Sequence, residues 1–181
     1  MTSLEMPFTI YRQFRKYACG HNSMRMIISY VTGAKCSEKA LVDAGHAAER
    51  DLRSIEGNGK KKVNEGIGST GLIAIKNNYF ERGFISAKGS REMIDYFLSN
   101  DIPVLVNWQS VKRDSGHFSV ATSLYDDRIT LADPVDGEGG ILDLSYDFFE
   151  KWWWDPTPKY NHWMAAFFNR KLEIPFRGRK I

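Results

Sequence analysis

Cys19-Gly20 begins an amphipathic stretch, Gln13 stands six positions upstream, and Gly116-His117 and Asp133-Pro134 lie far downstream. Residues of these types can do thiol chemistry. A cysteine attacks as the thiolate, and a helix N-terminus and a neighbouring imidazolium both hold it ionised near neutral pH. Met24, Ile27, Ile28 and Val31 follow Cys19 at the spacing of one helical face, which places Cys19 in a first turn, at the positive end of a helix dipole. His117 lies in a β-rich run, residues 116–122. The Asp126-Asp127 turn and a second run, 128–132, follow it, and Asp133 ends that second strand. A hairpin of this kind sets His117 beside Asp133. Asp133 then accepts a hydrogen bond from one imidazole nitrogen and fixes the tautomer, while the other nitrogen faces the Cys19 sulfur as its base. Gln13 supplies a side-chain amide N–H to an oxyanion hole shared with the Cys19 backbone N–H.

Cys36 reads as an ordinary structural thiol. It follows a helix stop at Thr32-Gly33 and precedes a cap at Ser37, with neither a histidine nor a glutamine in register. A Cys19–Cys36 disulfide is excluded by reach: a helix of about 13 residues at ~1.5 Å per residue separates its ends by roughly 20 Å, and the bond needs Cα atoms within about 7 Å. Cys19, His21, Cys36 and His46 lack the close ligand spacing of structural zinc modules. Asp133, Asp136 and Glu138 with Gly137 and Gly139 do not follow an EF-hand pattern and read as a solvated turn. The chemistry therefore calls for no metal and no cofactor.

The elements that position these residues divide along the chain. Helical patterns cover 19–32, 37–50, 70–82 with Leu72, Ile75 and Tyr79 on one stripe, and 90–99 with Ser90 as cap. Strands follow at 103–108, 117–125, 128–133, 140–143 and near 162–171, with a helix at 146–154 whose aromatic residues, Trp152, Trp153 and Trp154 among them, are core material. This pattern predicts an α+β fold, an N-terminal helical part packed on a C-terminal antiparallel β-sheet, with Cys19 and His117 on opposite walls of the cleft between them. Residues 51–69 read as a flexible loop, and the end of the chain, about 172–181 with Arg177-Gly178-Arg179-Lys180, as a loose basic tail.

The 181 residues, 43% hydrophobic, suit one domain over 1–181. Two cysteines without a framework point to a reducing, cytoplasmic setting, and no apolar run approaches the ~20 residues that span a bilayer, so no membrane insertion is expected. A net charge of +3 is too small to indicate nucleic acid, and Lys60-Lys61-Lys62 reads as a solvated loop.

Taken in order, residues 13–33, the Gly68-Ser69-Thr70-Gly71-Leu72 helix start, the Ile102-Pro103-Val104-Leu105-Val106 strand, Gly116-His117 and Asp133-Pro134 resemble the bacteriocin-processing, double-glycine cysteine peptidases, a papain-like family. The resemblance spans roughly residues 8 to 154. It implies a nucleophile at Cys19, a base at His117, an orienting acid at Asp133, an oxyanion glutamine at Gln13, and cleavage after Gly-Gly in the leader of a peptide or small-protein substrate. Many members have proline after Cys-Gly, where this chain has His21. Members fused to a transporter differ as well, and here any associated transporter is expected to be encoded elsewhere. The same triad also serves acyltransferases and amidases, which change only the fate of the thioester, and a non-catalytic peptide-docking module is the third alternative.

Overall fold

The computed structural model describes residues 2–55, 66–109, 116–154 and 161–181. Helix α1 (Cys19–Thr32) forms where the apolar spacing predicts it. Met24, Ile27 and Ile28 are fully buried, each contributing roughly 1.5–3 kcal/mol by leaving water. Gly33 ends the helix in the left-handed region (φ 69°), and its N–H bonds the Ser29 carbonyl at 3.0 Å. Helix α2 (Glu38–Ile55) runs further than the expected 37–50, so the first residues of the expected loop continue a helix. Residues 56–65, with the three lysines, lie outside the described residues.

After α3 (Ser69–Tyr79) the expected helix over 70–82 gives way to a strand, β2 (Arg82–Ser86). Helix α4 (Arg91–Ser99) starts at the Ser90 cap, whose hydroxyl accepts from the Met93 N–H. The strands β3 (Val104–Gln109), β4 (Gly116–Tyr125), β5 (Arg128–Ala132), β6 (Ile141–Ser145) and β7 (Met164–Phe168) lie where alternation placed them, with α5 (Tyr146–Trp152) before β7. Of the three tryptophans, Trp153 is fully buried, whereas Trp154 is exposed.

Two short strands complete the sheet. β1 (Thr2–Ser3) pairs with β4, and β8 (Arg179–Lys180) pairs with β2. The expected loose basic tail is thus tied down: Ile181 and Gly83 exchange backbone hydrogen bonds of 2.6 and 2.9 Å. Two exposed cations become a strand because pairing engages only their backbones. The eight strands follow the order β6-β5-β4-β3-β7-β2-β8, with β1 beside β4, and every pairing is antiparallel.

The α+β class is as expected, but the helices do not all lie on one side. One core joins α1, α2 and α3 to Leu105, Val120, Ala165 and Phe167; the other joins α4 and α5 to Val104, Val106, Ala121 and Ala166. The neighbours in sequence Val104 and Leu105 fall into different cores because side chains alternate across a strand. Among the described residues no helix is long and apolar enough to cross a membrane.

Candidate active site

Cys19 is the first residue of α1, and Ala18 before it offers no side-chain cap. The first amides of the helix therefore keep their donors free of a capping oxygen. The Cys19 sulfur lies beside His117 and the backbone of Phe118 and Gly20. Burial pushes the thiol pKa up, but the His117 hydrogen bond and charge and the two backbone contacts outweigh it, and the thiol ionises more readily than usual.

β4 carries His117 and Ser119 on one face, two residues apart. Its register sets Val120 opposite Ala132, so Asp133, just beyond β5, comes level with Ser119. His117 Nε2 lies 2.8 Å from Asp133 Oδ2, which leaves Nδ1 for the sulfur. Burial works against an imidazolium here, yet hydrogen bonds and charge from Asp133 and Cys19 raise the His117 pKa to about 9. Both shifts favour the thiolate–imidazolium form, which is the reactive state of a cysteine nucleophile.

Asp133 is fully buried and fully used. Its Oδ2 accepts from His117 and, at 2.6 Å, from the Ser119 hydroxyl, while Oδ1 accepts the Val135 and Asp136 N–H groups at 2.8 and 2.7 Å. Burial would raise its pKa, but these donors and the His117 charge hold it below the usual carboxylate range. The expected solvated turn is in part this site, since its first residue organises the turn and orients the histidine. Gly140 closes the turn at φ +86°, where its carbonyl accepts the Asp133 N–H at 2.7 Å and a Cβ would meet Ile10 at 2.4 Å. Ser119 in turn accepts from the Trp108 indole N–H at 2.8 Å, giving a buried relay from Trp108 through Ser119 to Asp133. Sequence reasoning missed both members of that relay, although the two-residue spacing from His117 to Ser119 is a signal that a strand reading contains.

Gln13 is brought to the same region. Its backbone N–H donates to the Pro134 carbonyl at 3.0 Å, and Arg12 reaches the Val135 and Asp136 carbonyls, so residues 12–13 are laced to the loop after Asp133. The Gln13 side-chain oxygen is buried and has no hydrogen-bond partner among the described residues. Cys36 stands apart, its thiol pKa raised by burial, and both cysteines are free.

The four residues considered for zinc are not gathered: among the described residues the only group of three or more potential ligands is His117, Asp133 and Asp136. That group is already committed, because every strong acceptor position of Asp133 is filled. His21 is buried with neither ring nitrogen bonded, and it meets His46 edge-on at 5.5 Å. Burial above all, with the His46 charge, lowers its pKa to about 4, so it packs as a neutral ring on the inner side of α1, against α2.

No curated protein matches the chain. Solved structures share its fold at low identity, among them the following three. The peptidase domain of Streptococcus ComA, described as a bi-functional ABC transporter involved in quorum sensing, is 17% identical with a TM-score of 0.62, covering 91% of this chain and 100% of that one. A putative C39-like peptidase from Bacillus anthracis is 12% identical with a TM-score of 0.69, covering 95% and 100%. A double glycine motif protease from an AMS/PCAT transporter, solved in complex with the leader peptide, is 15% identical with a TM-score of 0.57, covering 94% and 99%. The model of the Peptidase_C39 like family matches residues 5–161, a span that holds every residue of the thiol site. The chain accordingly belongs to the Peptidase_C39 like family and is a cysteine peptidase.

Proposed function

We propose that the chain hydrolyses a peptide bond through Cys19, His117 and Asp133, with Gln13 and the Cys19 backbone N–H as oxyanion donors. The observation that carries this reading is the buried His117–Asp133 hydrogen bond set beside Cys19, whose thiol pKa the neighbouring His117 lowers. The thiolate attacks the scissile carbonyl, and the negative charge moves to its oxygen, where the two donors hold it. His117 gives its proton to the leaving amine, and a thioester remains. Water then attacks with His117 as base, which frees the acid and restores the thiolate. Asp133 keeps the ring in place throughout and does not take the proton.

The substrate in this reading is a peptide or small protein cut after Gly-Gly in its leader, with the reaction placed in the cytoplasm and any transporter supplied by another chain. Its support is membership of the family and likeness to a protease solved with a leader peptide. A synthetic peptide with a Gly-Gly junction, incubated with the protein and with Cys19→Ala, tests it by product mass. A single cut after the second glycine, absent from the variant, is expected. Cleavage elsewhere would refute the Gly-Gly assignment, and transfer of the acyl group to an added amine in preference to water would refute hydrolysis.

A further inference from the structure

Glu38 opens α2, and only 7% of it is exposed. Its Oε2 accepts the Phe14 backbone N–H at 2.8 Å and Asn22 Nδ2 at 2.7 Å; its Oε1 accepts the Arg15 backbone N–H at 3.1 Å and lies 3.9 Å from the Arg15 guanidinium. A buried carboxylate is costly unless several donors meet it, and two of its donors are the amides that directly follow Gln13. Asn22, itself fully buried, spends its second side-chain hydrogen on the Ala18 carbonyl at 3.1 Å, in the turn just before Cys19. On the other side of the segment, the Gln13 N–H is held by Pro134. Residues 13–15 are thus pinned between the start of α2, the first turn of α1 and the loop after Asp133. Phe14 is 89% exposed, so side-chain burial contributes little to holding this segment. Its hydrogen bonds do the holding. Glu38 is not among the groups that set the ionisation of Cys19 or His117.

We propose that Glu38 is a positioning residue for the reaction: it fixes residues 13–15 against α1 so that the Gln13 amide stays aimed at the oxyanion. The inference rests on the proposed role of Gln13, and its test separates the two. Two reactions of Cys19 are compared. Acylation by p-nitrophenyl acetate passes through an oxyanion; alkylation by iodoacetamide does not. In Glu38→Gln an amide turns an N–H toward donors that need an acceptor, and the segment loosens. Acylation should fall roughly 10- to 100-fold, the scale of a slightly misplaced donor, while the alkylation rate and its pH profile stay at the parent's values. Adding E38Q to Gln13→Ala should cost nothing further, since the donor is already gone. Where E38Q fails to fold by circular dichroism, Glu38→Asp, which keeps the charge but is too short to reach both amides, should give the same split. Parent-like acylation in the folded variant overturns the proposal, as does equal slowing of both reactions, which would make Glu38 a support of the whole site. If Q13A alone acylates at the parent rate, the reading of Gln13 fails in that arm and takes the proposal with it.

Discussion

Replacing Ser119 by Ala removes one hydroxyl from a place water does not reach. The Ser119 side chain is fully buried, donates to Asp133 at 2.6 Å and accepts from Trp108 at 2.8 Å. Alanine keeps nearly the same shape, so the cost is polar rather than steric. A hydrogen bond to a buried charge contributes about 1.5–3 kcal/mol, and an indole N–H left without an acceptor costs about 1 kcal/mol more. The sum, roughly 2.5–4 kcal/mol, corresponds in a chain of this size to a melting temperature lower by roughly 5–15 °C. Its pH dependence identifies the cause. Asp133 has a depressed folded-state pKa, so the stability it contributes is present above the unfolded value of about 3.9 and is lost as pH falls through the folded one. In S119A the carboxylate retains His117 and two amides but loses one donor, so its folded pKa rises towards the ordinary value. The stability gap between parent and variant is therefore constant at pH 5–7 and narrows below about 3.9. Urea denaturation at pH 7, 5 and 3 measures it. A variant within about 0.5 kcal/mol of the parent at pH 7, or an equal gap at every pH, refutes the claim that Ser119 supports an ionised Asp133.

Three further outcomes are expected. Iodoacetamide at pH 6 should label Cys19 much faster than Cys36, whose thiol is pushed the other way by burial; in His117→Ala the preference should disappear, as read by peptide mass spectrometry. Gln13→Ala should lower turnover on a cleaved peptide by roughly 10²–10³, with little change in folding, and Gln13→Glu should be at least as damaged, because a carboxylate repels the oxyanion. The acylation rate of the parent should fall on the alkaline side as His117 loses its proton near pH 9, and Asp133→Asn, which removes the anion that raises that value, should move the fall to lower pH in a stopped-flow profile.

Much of this architecture was legible because its signals are local. The apolar spacing from Met24 to Val31 and the left-handed Gly33 define α1, and the Asp126-Asp127 turn between two β-rich runs defines the hairpin that sets His117 against Asp133. Ser90 caps α4 as its residue type predicts. What stayed hidden depends on partners distant in sequence. β2 is five residues long and lies between β7 and β8, both far down the chain, and β8 consists of two cations that carry no strand signal of their own. Glu38 was equally silent: its partners include the backbone amides of Phe14 and Arg15, which every residue type but proline presents alike. Nothing in spacing could show that α4 crosses to the far face of the sheet.

On the proposed assignment of Cys19 and His117, the two faces of the sheet also set when the thiol becomes reactive. Cys19 stands at the head of a helix rooted in one core, whereas the chain of bonds that orients His117 starts from Trp108 in the other. A ribosome exposes Cys19 early, but the imidazolium that ionises it arrives only after β4 and β5 have been made and folded against α1. Until then Cys19 is an ordinary, mostly protonated thiol, slow to oxidise and slow to acylate. On that reading the fold acts as a timer on its own chemistry, and a nascent or half-unfolded chain carries a thiol that is still switched off.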